Sequence, residues 1–156
     1  MTQFLFPTEP APKTDGAADL IRLSLPAQFA YITIARNAAD TVGEQLKMSL
    51  DSRTAVKLAV GEACNNAVQY GPSPENRKIG FACRILPGLL EIDVMSEDNG
   101  FRPQTGKHTM PAAEDLAEHG RGLALIETLM DSVEYLSSAG TFLVRLQKKL
   151  QSQSIY

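Results

Sequence analysis

Glu62, Asn65, Asn66 and Gln69 recur along the chain at the spacing of a single helical stripe. Around them Ala59, Val60, Ala63, Cys64, Ala67 and Val68 supply the apolar remainder of the same helix. Burying a carboxylate and three amides without partners would cost ~1–3 kcal/mol for each group. The stripe must therefore meet water, as a solvated helix face does, or a polar ligand. A carboxylate followed one turn later by an amide oxygen is a donor set for a hard cation such as magnesium, which takes oxygen ligands.

Two further clusters could join that chemistry. Glu97-Asp98-Asn99-Gly100 directly follows an apolar strand pattern. Asp-Asn-Gly reads either as a tight turn or as an acceptor at a strand end, with a glycine that lets a ligand approach the backbone. His119-Gly120-Arg121-Gly122-Leu123 precedes a strongly apolar helical segment. It reads either as a flexible joint or as a helix N-terminus whose free N–H groups receive an anion or phosphate. No Gly-Lys-Ser/Thr follows, which excludes a Walker A loop, and no GxGxxG follows a first strand, which disfavours a dinucleotide fold.

The elements that must position these groups follow from periodicity. Leu20 to Leu25 reads as a first strand ended by Pro26, and Gln28 to Ser49 as a helix. Asp51 or Ser52 is placed to cap a second helix, which carries the polar stripe and stops at Tyr70-Gly71-Pro72. Residues 72–76 read as a turn. Strands at Lys78 to Leu86 and Leu89 to Ser96 form a hairpin about Pro87-Gly88. A long polar segment from Glu97 to Gly120 follows, with a short helix at Ala112 to Ala117. Gly122 to Met130 reads as an apolar helix, and Ser132 to Ser137 with Thr141 to Gln147 as a last hairpin about Ala139-Gly140. The fold class expected is α+β: a two-layer sandwich with a mixed, mostly antiparallel sheet and helices on one face. Residues 1–17 read as a flexible arm, 18–148 as one domain and 149–156 as a frayed tail.

Composition narrows the function classes. The 156 residues are 44% hydrophobic and 21% charged, ordinary for a globular domain with a real core. A formal charge of -3 supplies no basic field for nucleic acid or anionic lipid, so no direct DNA contact is expected. No apolar run reaches the ~20 residues of a membrane helix, and no secretion signal opens the chain. Cys64 and Cys83 form neither a CxxC pair nor a His/Cys cluster; as packed thiols they fit a reducing cytoplasm.

Taken in order, E-x-x-x-N on a helix, D-x-G after a strand, G-x-G-L at a helix and Gly-Thr in the last hairpin resemble the GHKL, or Bergerat-fold, ATP-binding domains. EACNNAVQYG and GRGLALIETLMDSVEY look like the small bacterial anti-sigma-factor serine-protein kinases of that superfamily. The resemblance runs from about Leu20 to Leu146. It implies ATP and Mg²⁺ as cofactors, with Asn66 as the magnesium ligand and Glu62 as the general base for the partner's serine. It places Asp98 on the adenine amino group, with Gly100 leaving room for the base. Gly120, Arg121, Gly122 and Leu123 form the nucleotide lid, and Thr141 supports adenine. The pattern departs from the family where Arg102 takes the place of a last DxGxG glycine, and where Glu118-His119 precedes the lid. Arg121 and Lys107 both stay open as γ-phosphate contacts.

The expectation that follows is an ATP-dependent serine/threonine-protein kinase. It would phosphorylate a small STAS-type antagonist, sequester a sigma factor and work as a homodimer. The alternatives are a nucleotide-gated protein-binding module with little kinase activity and, more weakly, a general GHKL ATPase fragment.

Overall fold

The computed structural model describes residues 19–71, 77–97, 118–138 and 140–151. Alternating side chains set the first element, β1 at Asp19–Pro26, and Pro26 ends it. A single 3₁₀ turn at Phe29–Tyr31 leads into α1 at Ile32–Gln45, followed by α2 at Leu50–Tyr70. Strands β2 at Lys78–Leu86 and β3 at Leu89–Glu97 pair as a hairpin, α3 spans Glu118–Leu129, and β4 at Ser132–Ser138 pairs with β5 at Thr141–Lys149. Both hairpins turn on a glycine in the left-handed region, Gly88 at φ 70° and Gly140 at φ 78°.

The sheet order is β1-β2-β3-β5-β4, and every described pair is antiparallel. The α+β sandwich is as expected, except that the sheet is not mixed. Period-two alternation sends Phe81, Cys83, Ile92, Val94, Val144 and Leu146 to one face. There they form one core with Ala35, Ala39 and Val42 of α1, Val56, Val60 and Cys64 of α2, and Ile126 of α3. All three helices thus cover the same face. Among the described residues no helix is long and apolar enough to cross a membrane.

Several boundaries differ from the sequence reading. Helix α1 ends at Gln45, not Ser49. The chain reverses there, with Lys47 at φ 55° and the Leu46 and Met48 amides donating to Val42 and Gly43 carbonyls at 3.0 Å. That reversal frees Ser49, and not Asp51 or Ser52, to cap α2: its hydroxyl accepts from the Ser52 amide at 3.1 Å. Helix α3 begins at Glu118 rather than Gly122, because packing against α2 outweighs the helix penalty of two glycines, about 1 kcal/mol each. The last strand, read as ending at Gln147, also runs further. Lys149 is in β5, the Leu150 amide donates to the Gly88 carbonyl at 2.9 Å, and Leu150 packs on the core. The arm at 1–17, the turn at 72–76 and the short helix at 112–117 lie outside the described residues.

The Ser49 cap is directly testable. Ser49→Ala removes one acceptor from the first turn of α2 and should lower stability by about 1 kcal/mol in a urea titration. Asp51→Ala and Ser52→Ala, tested side by side, should show smaller losses.

Candidate functional site

Helix α2 divides its circumference between two duties. Val56, Ala59, Val60, Ala63 and Cys64 are buried, which fixes that side against the rest of the core. Glu62 and Asn66, half-buried, are turned toward α3 instead. The closest passage is at Gly122. A Cβ there would sit 3.2 Å from Glu62 Oε2, 3.4 Å from Asn66 Nδ2 and 3.5 Å from Asn66 Oδ1. The missing side chain is what lets the backbone of α3 run past the carboxylate and the amide. Asn65 is half-buried and Gln69 exposed on the same helix.

Beside this contact lies a pocket of about 550 Å³. Helix α2 supplies Ala63, Asn66, Ala67 and Tyr70, with Gly71 just beyond its end. Leu123 of α3 closes one side, and Val94 and Ser96 of β3 with Phe142 and Val144 of β5 form the floor. The lining is mainly apolar, with two aromatic rings, and Asn66 stands where pocket and Gly122 contact meet. Near the pocket, Arg77 is buried and its Nη2 donates to the Val68 carbonyl at 2.5 Å, satisfying part of the C-terminal turn of α2. The Arg77 carbonyl accepts from the Ala27 amide at 2.9 Å, which ties that turn to the end of β1.

The structure thus brings together Glu62, Asn66, Gly122 and Leu123. Gly120 and Arg121 lie in the first turn of α3, and Gly122 one residue further in, so neither glycine precedes the helix as the sequence reading had it. The amides of residues 118–120 have no intrahelical acceptor, and they form the positive end of the helix dipole. Thr141 pairs with Glu97 at the start of β5, and its neighbour Phe142 lines the pocket. Thr141 itself is not among the residues that line the pocket. Asp98 and Gly100 lie outside the described residues. Sequence reasoning missed Ser96, Tyr70, Phe142 and Arg77. The first and third were readable as alternation partners of Val94 and Val144, whereas nothing in the local pattern marks Arg77.

An apolar pocket with aromatic walls suits a heteroaromatic ring, and a carboxylate, an amide oxygen and a helix N-terminus near it suit a phosphate chain with its cation. That combination is the architecture of a nucleotide-binding domain. The comparisons agree: the chain matches the histidine kinase-like ATPase domain family over residues 25–148 and belongs to that family. It is 31% identical to the serine-protein kinase RsbW of Bacillus velezensis over 149 residues, 89% of this chain and 91% of that protein. It is 32% identical to the serine-protein kinase RsbW of Bacillus subtilis over 148 residues, 88% of this chain and 90% of the relative. Among solved structures, the RsbU and RsbW domains of a Mycobacterium tuberculosis protein align with a TM-score of 0.61 at 18% identity. That match covers 85% of this chain but only 32% of the longer one, and it shares the fold.

Gly122→Ala separates site from scaffold. Alanine gains up to about 1 kcal/mol in helix propensity, so the melting temperature should hold or rise. The added methyl must displace Glu62 or Asn66 by a few tenths of an ångström from its 3.2–3.5 Å contacts, so affinity for magnesium ATP should fall about tenfold. Unchanged affinity would detach the Glu62–Asn66 pair from the nucleotide.

Proposed function

We propose that this chain is an ATP-dependent serine/threonine-protein kinase of the cytoplasm. In this reading it phosphorylates a small STAS-type partner, binds a sigma factor as its inhibitor and works as a homodimer. The observation that carries the enzymatic part is the carboxylate of Glu62 against Gly122, next to Asn66, which itself lines the pocket. A module that only held nucleotide would not need a carboxylate there. The serine-protein kinase relatives, matched over nearly the whole chain, support the reading.

The residues fit magnesium ATP. The pocket is lined mainly by apolar side chains with a few polar groups, as small-molecule sites are, and the Asn66 amide oxygen is a hard donor. When bound, magnesium ATP supplies the phosphoryl group and the cation that neutralises its charge. The chain's own part is mostly positioning. Asn66 would hold the cation through its amide oxygen, and Leu123 and Phe142, which line the pocket, would enclose the base and exclude water from it. The amide of Gly120, in the first turn of α3, would donate to a phosphate oxygen from the positive end of the helix. Glu62 accepts the proton of the partner's hydroxyl as that oxygen attacks, which requires a carboxylate within hydrogen-bond reach of it.

The test is incubation with labelled ATP, Mg²⁺ and a STAS-domain partner, followed by phosphoamino-acid analysis. Phosphoserine or phosphothreonine on the partner is expected. Glu62→Gln should reduce transfer by about 10²-fold or more while ATP still binds, and Asn66→Ala should abolish the magnesium dependence of tight ATP binding. Nucleotide binding without any label on the partner would sink the kinase reading in favour of a nucleotide-gated binding module.

A further inference from the structure

One wall of the pocket is the C-terminal end of α2. Asn66, Ala67 and Tyr70 line it from the end of the helix, and Gly71 from the residue that follows. Helix ends fray, and here the carbonyls of residues 68–70 accept no bond from within the helix. One of them, that of Val68, accepts from Nη2 of Arg77. The Arg77 side chain is buried, and its guanidinium sets a positive charge at the negative end of the helix dipole. Arg77 is itself anchored: its carbonyl accepts from the Ala27 amide at 2.9 Å, and β2 begins at the next residue.

Gly71 is shaped to this guanidinium. A glycine that closes a helix ordinarily serves a left-handed backbone, but Gly71 lies at φ −71° and ψ 158°, which any residue adopts. Space, not conformation, requires the glycine. A Cβ on Gly71 would overlap Nη1 and Cζ of Arg77 and stand 3.0 Å from the Ala67 carbonyl oxygen. The guanidinium thus occupies the volume that a side chain at 71 would take.

We propose that Arg77 is a positioning residue for the nucleotide: with Gly71 it forms a lock that keeps the last turn of α2 wound and the Tyr70 wall of the pocket in place. It acts through Val68, Gly71 and Tyr70 and touches no ligand. With the lock broken, only a fraction of molecules carries the finished wall, and apparent affinity falls by that fraction. This inference rests on the nucleotide reading of the same pocket, and it adds what holds one side of that pocket in its binding form.

The experiment is calorimetric titration of the full chain with ATP in Mg²⁺, with amide hydrogen exchange over residues 66–71 and thermal melts to verify folding at the working temperature. The variants are Arg77→Met, Arg77→Lys, Gly71→Ala and the double variant Gly71→Ala with Arg77→Met. Arg77→Met should weaken ATP about tenfold and speed exchange in the last turn of α2 by a similar factor. Gly71→Ala should do the same by evicting the guanidinium. Arg77→Lys, which keeps the charge without the planar fork, should recover part of the loss. The double variant should bind no worse than Arg77→Met alone, because both changes break one lock. Additive losses would mean that the new methyl obstructs ATP directly, and they overturn the lock while leaving the nucleotide site standing. Unchanged ATP affinity in folded Arg77→Met or Gly71→Ala does the same. Failure of the unaltered chain to bind ATP overturns the nucleotide reading and the role of Arg77 together.

Discussion

The seat of α2 on the sheet is the constraint from which the site follows. Ala59 and Ala63 are small enough to let the helix axis come close, and Val56, Val60 and Cys64 are buried beside them at no more than 1% exposure. Gly61 extends the same economy toward α1: a Cβ there would come within 3.2 Å of the Arg36 side chain. Burial is severe enough to push the thiols of Cys64 and Cys83 up to about 12, so both are hydrophobic packing and not nucleophiles. Once this side is fixed, helical geometry leaves Glu62 and Asn66 no direction but toward α3. Their placement is a consequence of the core, not an independent feature.

The other face of the sheet holds β3 in register. Asp93 is fully buried there, yet it is not stranded. Arg145 donates to its two oxygens at 2.8 and 2.9 Å, and Arg84 donates to Oδ2 at 2.7 Å. Glu91 accepts from Arg84 and from Gln147, each at 2.8 Å. A buried ion pair offsets its desolvation only when such partners saturate it, and losing one leaves an uncompensated charge. The network therefore penalises a one-residue slip of β3 against β2 or β5, since a slip would turn Asp93 into the apolar core. By the same alternation, Asp93 facing outward obliges Val94 and Ser96 of the same strand to face the pocket.

What was legible in the sequence was what local patterns encode. The two hairpins, β1 and the C-terminal end of α2 lie where alternation, Pro-Gly and Tyr-Gly-Pro put them, because turn chemistry and period are short-range properties. The pairing of Glu62 with Asn66 was equally visible as one turn of one helix. The end of α1 was not, because apolar spacing continues through Leu46 while the backbone already reverses at Lys47, a residue with no special signature for a positive φ. Arg77 was invisible for a different reason: its task depends on the Val68 carbonyl, a partner set by tertiary structure alone. Ser96 was passed over because Asp-Asn-Gly, next along the chain, is the louder signal.

The start of α3 changes how the glycines work. Had Gly120 and Gly122 preceded the helix, both amides would have been free to meet phosphate. With the helix beginning at Glu118, the Gly122 amide falls under the intrahelical pattern, and the orphan donors within the helix are those of residues 118–120. Gly122 is then required for space: its missing Cβ is what the oxygens of Glu62 and Asn66 approach at 3.2 and 3.5 Å. Gly120 and Gly122, which look equivalent in the sequence, therefore do different work, one in the turn that offers its amides to an anion and one at the contact that keeps carboxylate and amide beside it.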